Sequence, residues 1–535
     1  MLLLVELMSK TSPTSSTLTN PPPTKTTFIV SVVRVELVNR ELHLPLLTKS
    51  TKKKRTTQNN LYWYTLSMQI NPNIYRGYDL RGVSGVDLSP EVYYTLGRGY
   101  ATFLAQRRIT LCPVGCDNRL TSEEYKNSFI QGLNDGGIDT FDLGLSMSQV
   151  IYFSSYEYLT KAGAMITASH NPKDYNGLKL SVGYSDTMVT EEIQELKKIV
   201  DKGVFSKGQG KNTKKDIFPV YLAEITKYFD LSRKWKVVID GCNTGSGIFY
   251  PQILRHAGCE VIEQNCTPDG NYPLGNPDPT ETEVLERLAK TVTEEKADIG
   301  FAYDADGDRV AVVDNTGQVL WMDTIVALYA QDVLDFIPGA PIVYNNLCSK
   351  VVSETIVNRG GQPIVSRTGH SFVKAKIKEV RSPFGGELSG HIFFMDNFYG
   401  HDDAAYASLR LLSYLERTGQ DLHQAVEKLP KYFSSPEIKL GLADNIKFQL
   451  IAGPIKEDLI KLLPYGTINE IDGIRIDTKE SMVVVRASQN GPYLTTKFES
   501  KTLDGYDELK SGIAKIFKKY SEIDWSTGSN TSSLS

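Results

Sequence analysis

The sequence predicts an α/β protein made of three successive strand–loop–helix units and a smaller α+β module. Three observations carry this reading. From about residue 71, apolar runs of strand length alternate with segments of helical spacing. The pattern then recurs in units of about a hundred residues, and after about residue 431 it gives way to period-two alternation. The chain has 535 residues, 41% of them hydrophobic, enough material for several cores.

In the first unit (71–222), ITLCPVGCD reads as a strand that empties into the polar loop 118–122, and SEEYKNSFIQGLNDGG reads as a helix closed by a glycine pair. FDLGLSM and AGAMITA supply further strands, the second leading into SHNPKDYNG. This alternation places ligand loops at strand C-termini. In the second unit (223–323), KWKVVIDGCNTGSG and ADIGFAYDADGDRVAVVD bracket the helix-like PQILRHAG and TETEVLERLAKTVTEEK. The third (324–431) follows from WMDTIVALYAQDVL through APIVYNNL, QPIVSRTG and HIFF to the helical DDAAYASLRLLSYLERT. The last module (432–520) reads as an antiparallel sheet with turns at 478–481 and 490–492, then the amphipathic YDELKSGIAKIFKKY. In the tail (521–535), the Ser/Thr/Gly/Asn composition from residue 527 predicts fraying.

Composition narrows the function. Residues 1–70 carry a net charge of +6 and the remainder −10. The body therefore lacks the basic surplus a nucleic-acid binder needs. Six scattered cysteines cannot form a disulfide framework, and CPVGC lacks the second Cys/His pair of a structural zinc site. MLLLVELM is too short to span a membrane and has no basic region before it, so no membrane role and a cytoplasmic location are expected. Residues 9–25 and 49–57 read as disordered and solvated, with strand-like β-branched content at 27–47 between them. This N-terminal stretch is expected to be a dispensable basic extension, with a docking arm as the alternative.

The segment YDADGDR sets Asp304, Asp306 and Asp308 at alternate positions around Gly307 between two apolar runs. Like charges so close call for a hard cation, and oxygen-only ligands favour magnesium or calcium. It is not an EF-hand, and the alternative is a solvated polar hairpin. In TASHNPKDYNGLKL, Ser169 follows a strand and precedes Asn171 and Pro172; spacing alone serves a nucleophile and an Asn-Pro turn equally. Arg81, Arg119 and Lys374 lie in or beside polar loops. Glu387, Ser389 and His391 alternate in GGELSGH, a layout suited to vicinal hydroxyls. Arg475, Arg486, Ser488 and Asn490 offer a guanidinium fork and short donors to a phosphate dianion. Taken singly, each of these also fits a solvated surface or a turn.

These motifs resemble the α-D-phosphohexomutase family, most closely its phosphomannomutase/phosphoglucomutase branch, over residues 71–520. The matching strings run in order: YDLRG (78–82), Asp117 and Arg119, TASHNP (167–172), NGLK (176–179), DADGDR (304–309), RTGH (367–370), GELSGH (386–391), HDDA (401–404) and VRAS (485–488). The resemblance implies three mixed-sheet α/β domains and a C-terminal α+β phosphate-binding domain around a central cleft. It implies that Ser169 carries a phosphoryl group, with Mg²⁺ held by Ser169, Asp304, Asp306 and Asp308. The group would pass to a hexose phosphate, giving a bound hexose 1,6-bisphosphate that turns end for end and returns the other phosphate. Arg81, Lys179 and His391 would act in catalysis. Tyr78, His170, Asn176, Arg309, His370, Lys374, Glu387, Ser389, Arg475, Arg486, Ser488 and Asn490 would bind substrate. The partner implied is a small sugar phosphate, and the protein a monomer or weak homo-oligomer.

GELSGH is nearer to the GEMSGH of the hexose branch than to the GEQSGH of the phosphoglucosamine branch. Two strings depart from the family pattern: RASQNGP replaces RPSNTEP-like sequences, and VYNNLCSK replaces a VKCS-like strand end. Competing classes are a phosphoglucosamine mutase, a binding protein that lost turnover and a phosphatase.

Overall fold

The computed structural model of the chain describes residues 70–489 and 491–534. The basic extension up to residue 69, with its strand-like stretch, and Asn490 lie outside the described residues. Among the described residues, no helix is long and apolar enough to cross a membrane.

Three tandem α/β units share one plan. The first sheet has six strands, with Ala164–Ile166, Leu111–Cys116, Asp139–Leu145 and Asn212–Lys214 parallel, and Tyr175–Leu180 and Leu80–Val83 added antiparallel at one side. In the second, Glu260–Gln264, Lys236–Asp240 and Ile299–Tyr303 run parallel, and Val310–Asp314 turns back antiparallel, followed by Val319–Leu320. In the third, Gln362–Ser366, Pro341–Asn345 and Phe384–Gly386 run parallel and Ile392–Phe394 turns back. Each unit thus has one place where a parallel strand hands over to an antiparallel neighbour.

Local sequence accounts for the elements around these sheets. Helix Pro90–Gln106 begins where the Ser89 side chain accepts the Val92 N–H and Pro90 presets the first turn. It packs against Ser122–Asp135 through Gly97 and Gly132, where an added Cβ would come within 2.4 and 2.2 Å of the facing helix's carbonyl oxygens. Helix Ser148–Glu157 is buried from Ser148 to Ser155, because its side chains join a core shared with the second and third units. Helix Ser246–His256 starts earlier than PQILRHAG suggested, with Pro251 inside it. Burial of Tyr250, Ile253 and Leu254 outweighs the lost amide donor.

The last module is a seven-stranded antiparallel sheet covered by helix Leu503–Phe517. The expectation of a frayed tail is corrected here. Asp524–Ser529 forms a strand paired with Ile438–Gly441, and Ile523 and Leu534 are buried in this module's core. Polar composition predicted fraying, but edge pairing satisfies the backbone and two apolar side chains anchor its ends.

Candidate functional site

The three handover points carry the three loops singled out in the sequence. Ser169 lies between Ala164–Ile166 and Tyr175–Leu180, the aspartates between Ile299–Tyr303 and Val310–Asp314, and Glu387 to His391 between Phe384–Gly386 and Ile392–Phe394. A backbone bridge between Arg309 and His391 joins the last two loops. Gly390 is required at that junction, since a Cβ there would sit 2.4 Å from the Val310 carbonyl oxygen and its φ is +95°.

Ser169 is held in the left-handed region at φ 50°, with its N–H donating to Thr167 Oγ1 at 2.8 Å. Its Oγ donates to Asp304 Oδ2 at 2.7 Å and lies 3.2 Å from His170 Nδ1. Two guanidinium groups fix this loop. Arg119 donates to the carbonyl oxygens of Ser169 and Asn171 at 2.7 Å, of Pro172 at 2.6 Å and of Tyr175 at 3.1 Å. Arg81 donates to the Ala168 carbonyl oxygen and is anchored by Asp79 at 2.8 Å. An exposed Asn-Pro turn would need neither clamp.

Asp304, Asp306 and Asp308 are fully buried, and each offers a carboxylate oxygen within 4.8 Å of the others'. Asp306 Oδ1 and Asp308 Oδ1 have no hydrogen-bond partner among the described residues. Orphaned buried carboxylate oxygens, all hard donors, fit a divalent cation of the magnesium class. Burial, with the charge of Asp306 added, pushes the Asp304 carboxyl up to about 7. Burial and Asp306 also raise Asp308. Burial opposes ionisation of Asp306 as well, but Lys179 outweighs it and holds that carboxyl well below the usual range. Lys179 Nζ lies 2.7 Å from Asp306 Oδ2 and also contacts Asp308, so despite burial it stays protonated far above its ordinary range. Arg309 bridges Asp304 at 3.0 Å and Asp278 at 3.4 Å. Burial, reinforced by Arg309, pushes the neighbouring His170 well below its ordinary range.

Opposite lies a histidine pair. The His391 and His370 rings stack at 5.4 Å, and Tyr78 meets His370 edge-on at 4.9 Å. Asp402 sits beneath both, 2.9 Å from His391 Nδ1, 3.4 Å from His370 Nδ1 and 3.1 Å from Lys374 Nζ. Burial disfavours the imidazolium at each ring. Asp308 outweighs it at His391, which is raised, whereas Lys374 adds to it at His370, which is lowered well below the ordinary range. Glu387 accepts the Gly369 N–H at 2.7 Å and the Ser389 hydroxyl at 3.1 Å, and burial raises its carboxyl.

The cleft between these loops is lined by Tyr78, Arg81, Ser169, His170, Lys179, Arg309, His370, Glu387, Ser389 and His391, and from the last module by Arg486 and Ser488. Three of the residues expected to bind substrate are not among those lining this cleft. Asn176 is buried beneath the serine loop, donating to Thr121 Oγ1 and Ser122 Oγ at 3.0 Å. Lys374 is buried below the cleft on Asp402 and over the Tyr152 ring. Arg475 is spent between units, donating to the carbonyl oxygens of Asn346 at 2.8 Å and Cys348 at 2.6 Å and pairing with Asp477. All three are polar residues beside a ligand motif, and spacing does not separate a lining side chain from a buried support. Asn490 lies outside the described residues.

Sequence reasoning missed the supports and one lining cation. Asp402 was visible only as part of HDDA. Asp472 holds Arg486 Nε at 2.7 Å and accepts the Thr368 N–H at 3.0 Å, tying the last module to the third unit. Lys447 donates to the carbonyl oxygens of Ser488 at 2.5 Å and Gly491 at 2.9 Å, bracing the departing RASQNGP loop from below. Lys439 and Leu347 also line the cleft. The period-two pattern around Lys439 was the one available signal.

Comparison with known proteins bears on the family and the domain plan. Models of the phosphoglucomutase/phosphomannomutase alpha/beta/alpha domains I, II and III match residues 72–207, 219–317 and 321–433. A phosphomannomutase/phosphoglucomutase of Pseudomonas aeruginosa is 36% identical over 439 residues, 82% of this chain and 94% of the relative. A phosphoglucomutase of Neisseria gonorrhoeae is 33% identical over 461 residues, 85% of this chain and 99% of the relative. The crystal structure of a phosphoglucomutase/phosphomannomutase family protein from Burkholderia thailandensis superposes with a TM-score of 0.77 at 30% identity, covering 84% of this chain and 98% of that one.

Proposed function

The chain belongs to the phosphoglucomutase/phosphomannomutase family, and on that premise we propose that it interconverts hexose 1-phosphates and hexose 6-phosphates, of glucose and of mannose, through a phosphorylated Ser169 and a bound hexose 1,6-bisphosphate. The single observation that carries the reading is the 2.7 Å contact of Ser169 Oγ with a buried carboxylate of the triple aspartate loop. It joins a hydroxyl able to carry phosphate to donors able to hold a hard cation.

Asp304, Asp306, Asp308 and the Ser169 oxygen would hold Mg²⁺, which when bound supplies neutralisation of phosphoryl charge. The remaining work belongs to side chains of this chain. Arg81 and Arg119 keep the serine loop in one conformation, so positioning is settled before substrate arrives. Lys179, protonated between Asp306 and Asp308, is fitted to offset the charge of the transferring group. His391, backed by Asp402 and, as an imidazole, having an ordinary range nearer neutrality than the Lys179 ammonium or the Arg81 guanidinium, is fitted to exchange a proton with the attacking sugar hydroxyl. Glu387 and Ser389 would accept and donate to adjacent sugar hydroxyls, a grip that works for either orientation of the bisphosphate. Arg486 and Ser488 would bind the phosphate that is not reacting.

The test is a coupled assay of the full chain with glucose 1-phosphate, mannose 1-phosphate and glucosamine 1-phosphate in Mg²⁺ and glucose 1,6-bisphosphate. Both hexose phosphates should turn over, and Ser169→Ala should lose at least about three orders of magnitude in kcat. Intact mass should show one phosphate on the wild type and none on S169A. Full activity in S169A would end the proposal, and turnover confined to glucosamine 1-phosphate would move it to that branch.

A further inference from the structure

The cleft contains a cation that the proposed mechanism does not use. In the strand Ile438–Gly441, Ile438 and Leu440 are buried in the core of the last module, so the pleat turns Lys439 to the opposite face, which looks into the cleft. Its cross-strand neighbour is Thr495, whose own neighbour on the other side is Arg486. Arg486, Thr495 and Lys439 therefore form one row across three adjacent strands. At about 4.8 Å per strand, the two cations are anchored roughly 10 Å apart.

The Lys439 ammonium makes no hydrogen bond or ion pair with any described residue, whereas Lys179, Lys374, Lys447 and Lys497 each have a carboxylate partner. It stands near Asp278, Arg309 and His170, that is, toward the serine loop. Burial opposes its charge, but Glu437 and Asp278 outweigh it, so the ammonium persists above its ordinary range. A half-buried cation without a hydrogen-bonded partner bears a desolvation cost that an anionic ligand would relieve. Leu347, at the position before Cys348 where a VKCS-like strand end has lysine, lines the same cleft uncharged.

We propose that Lys439 is a substrate-contacting residue that binds the phosphate at the serine end of a hexose bisphosphate while Arg486 holds the other. The pair would then measure a ligand phosphorylated at both ends. This rests on the mutase reading and adds a retention function to it. A monophosphate can satisfy one cation of the row, whereas the bisphosphate satisfies both, so the intermediate stays bound while it turns over.

The test uses the full chain as wild type, Lys439→Met and Lys439→Arg, assayed with glucose 1-phosphate over a titration of glucose 1,6-bisphosphate. Thermal melting of each variant is recorded alongside. In K439M the bisphosphate concentration giving half-maximal rate should rise on the order of tenfold or more. Phosphorylation of Ser169 at saturating bisphosphate should persist, and K439R should recover most of the loss. An active wild type with a folded K439M of unchanged bisphosphate requirement would overturn the role of Lys439 alone. Equal loss in K439M and K439R with lowered melting would make the residue structural and overturn it too. A wild type without interconversion would overturn the mutase reading and this inference with it.

Discussion

The serine and aspartate loops and the phosphate row of the last module both handle phosphate, yet they are built in opposite ways. At the first, nearly every charge is matched inside the protein: Arg119 reaches four carbonyl oxygens, and Lys179 lies between two carboxylates. At the second, the Lys439 ammonium is left without a hydrogen-bonded partner, and Lys447 holds the carbonyl oxygens of Ser488 and Gly491. Groups at a reacting atom gain by being fixed beforehand, because reorganisation during the reaction is then avoided. Groups that must release a ligand and take it back turned around gain where a donor such as the Lys439 ammonium is left for that ligand, even though Asp472 steadies the neighbouring Arg486.

The largest expected effect breaks the first region. Asp306→Ala removes a carboxylate from the triad and a partner from Lys179, and kcat should fall by about 10²–10³ in the coupled assay, with a weaker Mg²⁺ requirement curve. Next comes Arg119→Ala, which strands the buried Asp117 carboxylate and should cost about 3–5 kcal/mol in denaturant unfolding. The two arginines of the last module then sharpen the contrast. Arg486→Ala should raise KM for glucose 1-phosphate by about tenfold or more, while Arg475→Ala should leave KM nearly unchanged and lower stability by about 1–3 kcal/mol. The smallest effect is graded. Cation binding needs Asp304 ionised, and that carboxyl is pushed up to about 7. Mg²⁺ affinity, followed calorimetrically, should therefore be full above that pH and weaken by up to about tenfold per pH unit below it. A flat profile from pH 5 to 8 would show that burial and Asp306 do not raise Asp304 as described.

The fold was legible where periodicity and loop chemistry agreed. The strands around Ser169 and the aspartates follow from apolar runs ending in Gly, Asn and Asp, and the last sheet from alternation. What the sequence could not give was which side of a residue faces inward. Asn176, Lys374 and Arg475 look like Asn, Lys and Arg at any ligand loop, but their donors are taken by Ser122, Asp402 and the Asn346 carbonyl oxygen. Those partners lie 28 to 129 residues away. Asp402 and Asp472 escaped notice for the same reason, since a support is defined by what it touches. The tail misled because composition registers side-chain polarity and not the hydrogen bonds an open sheet edge supplies.

That tail has a practical consequence. Without Asp524–Ser529, the strand carrying Lys439 would present bare N–H and C=O groups beside the apolar Leu440. Such a border recruits strands from other molecules. Strand Asp524–Ser529 covers that border, and a chain cut before it would be expected to precipitate before its chemistry could be measured.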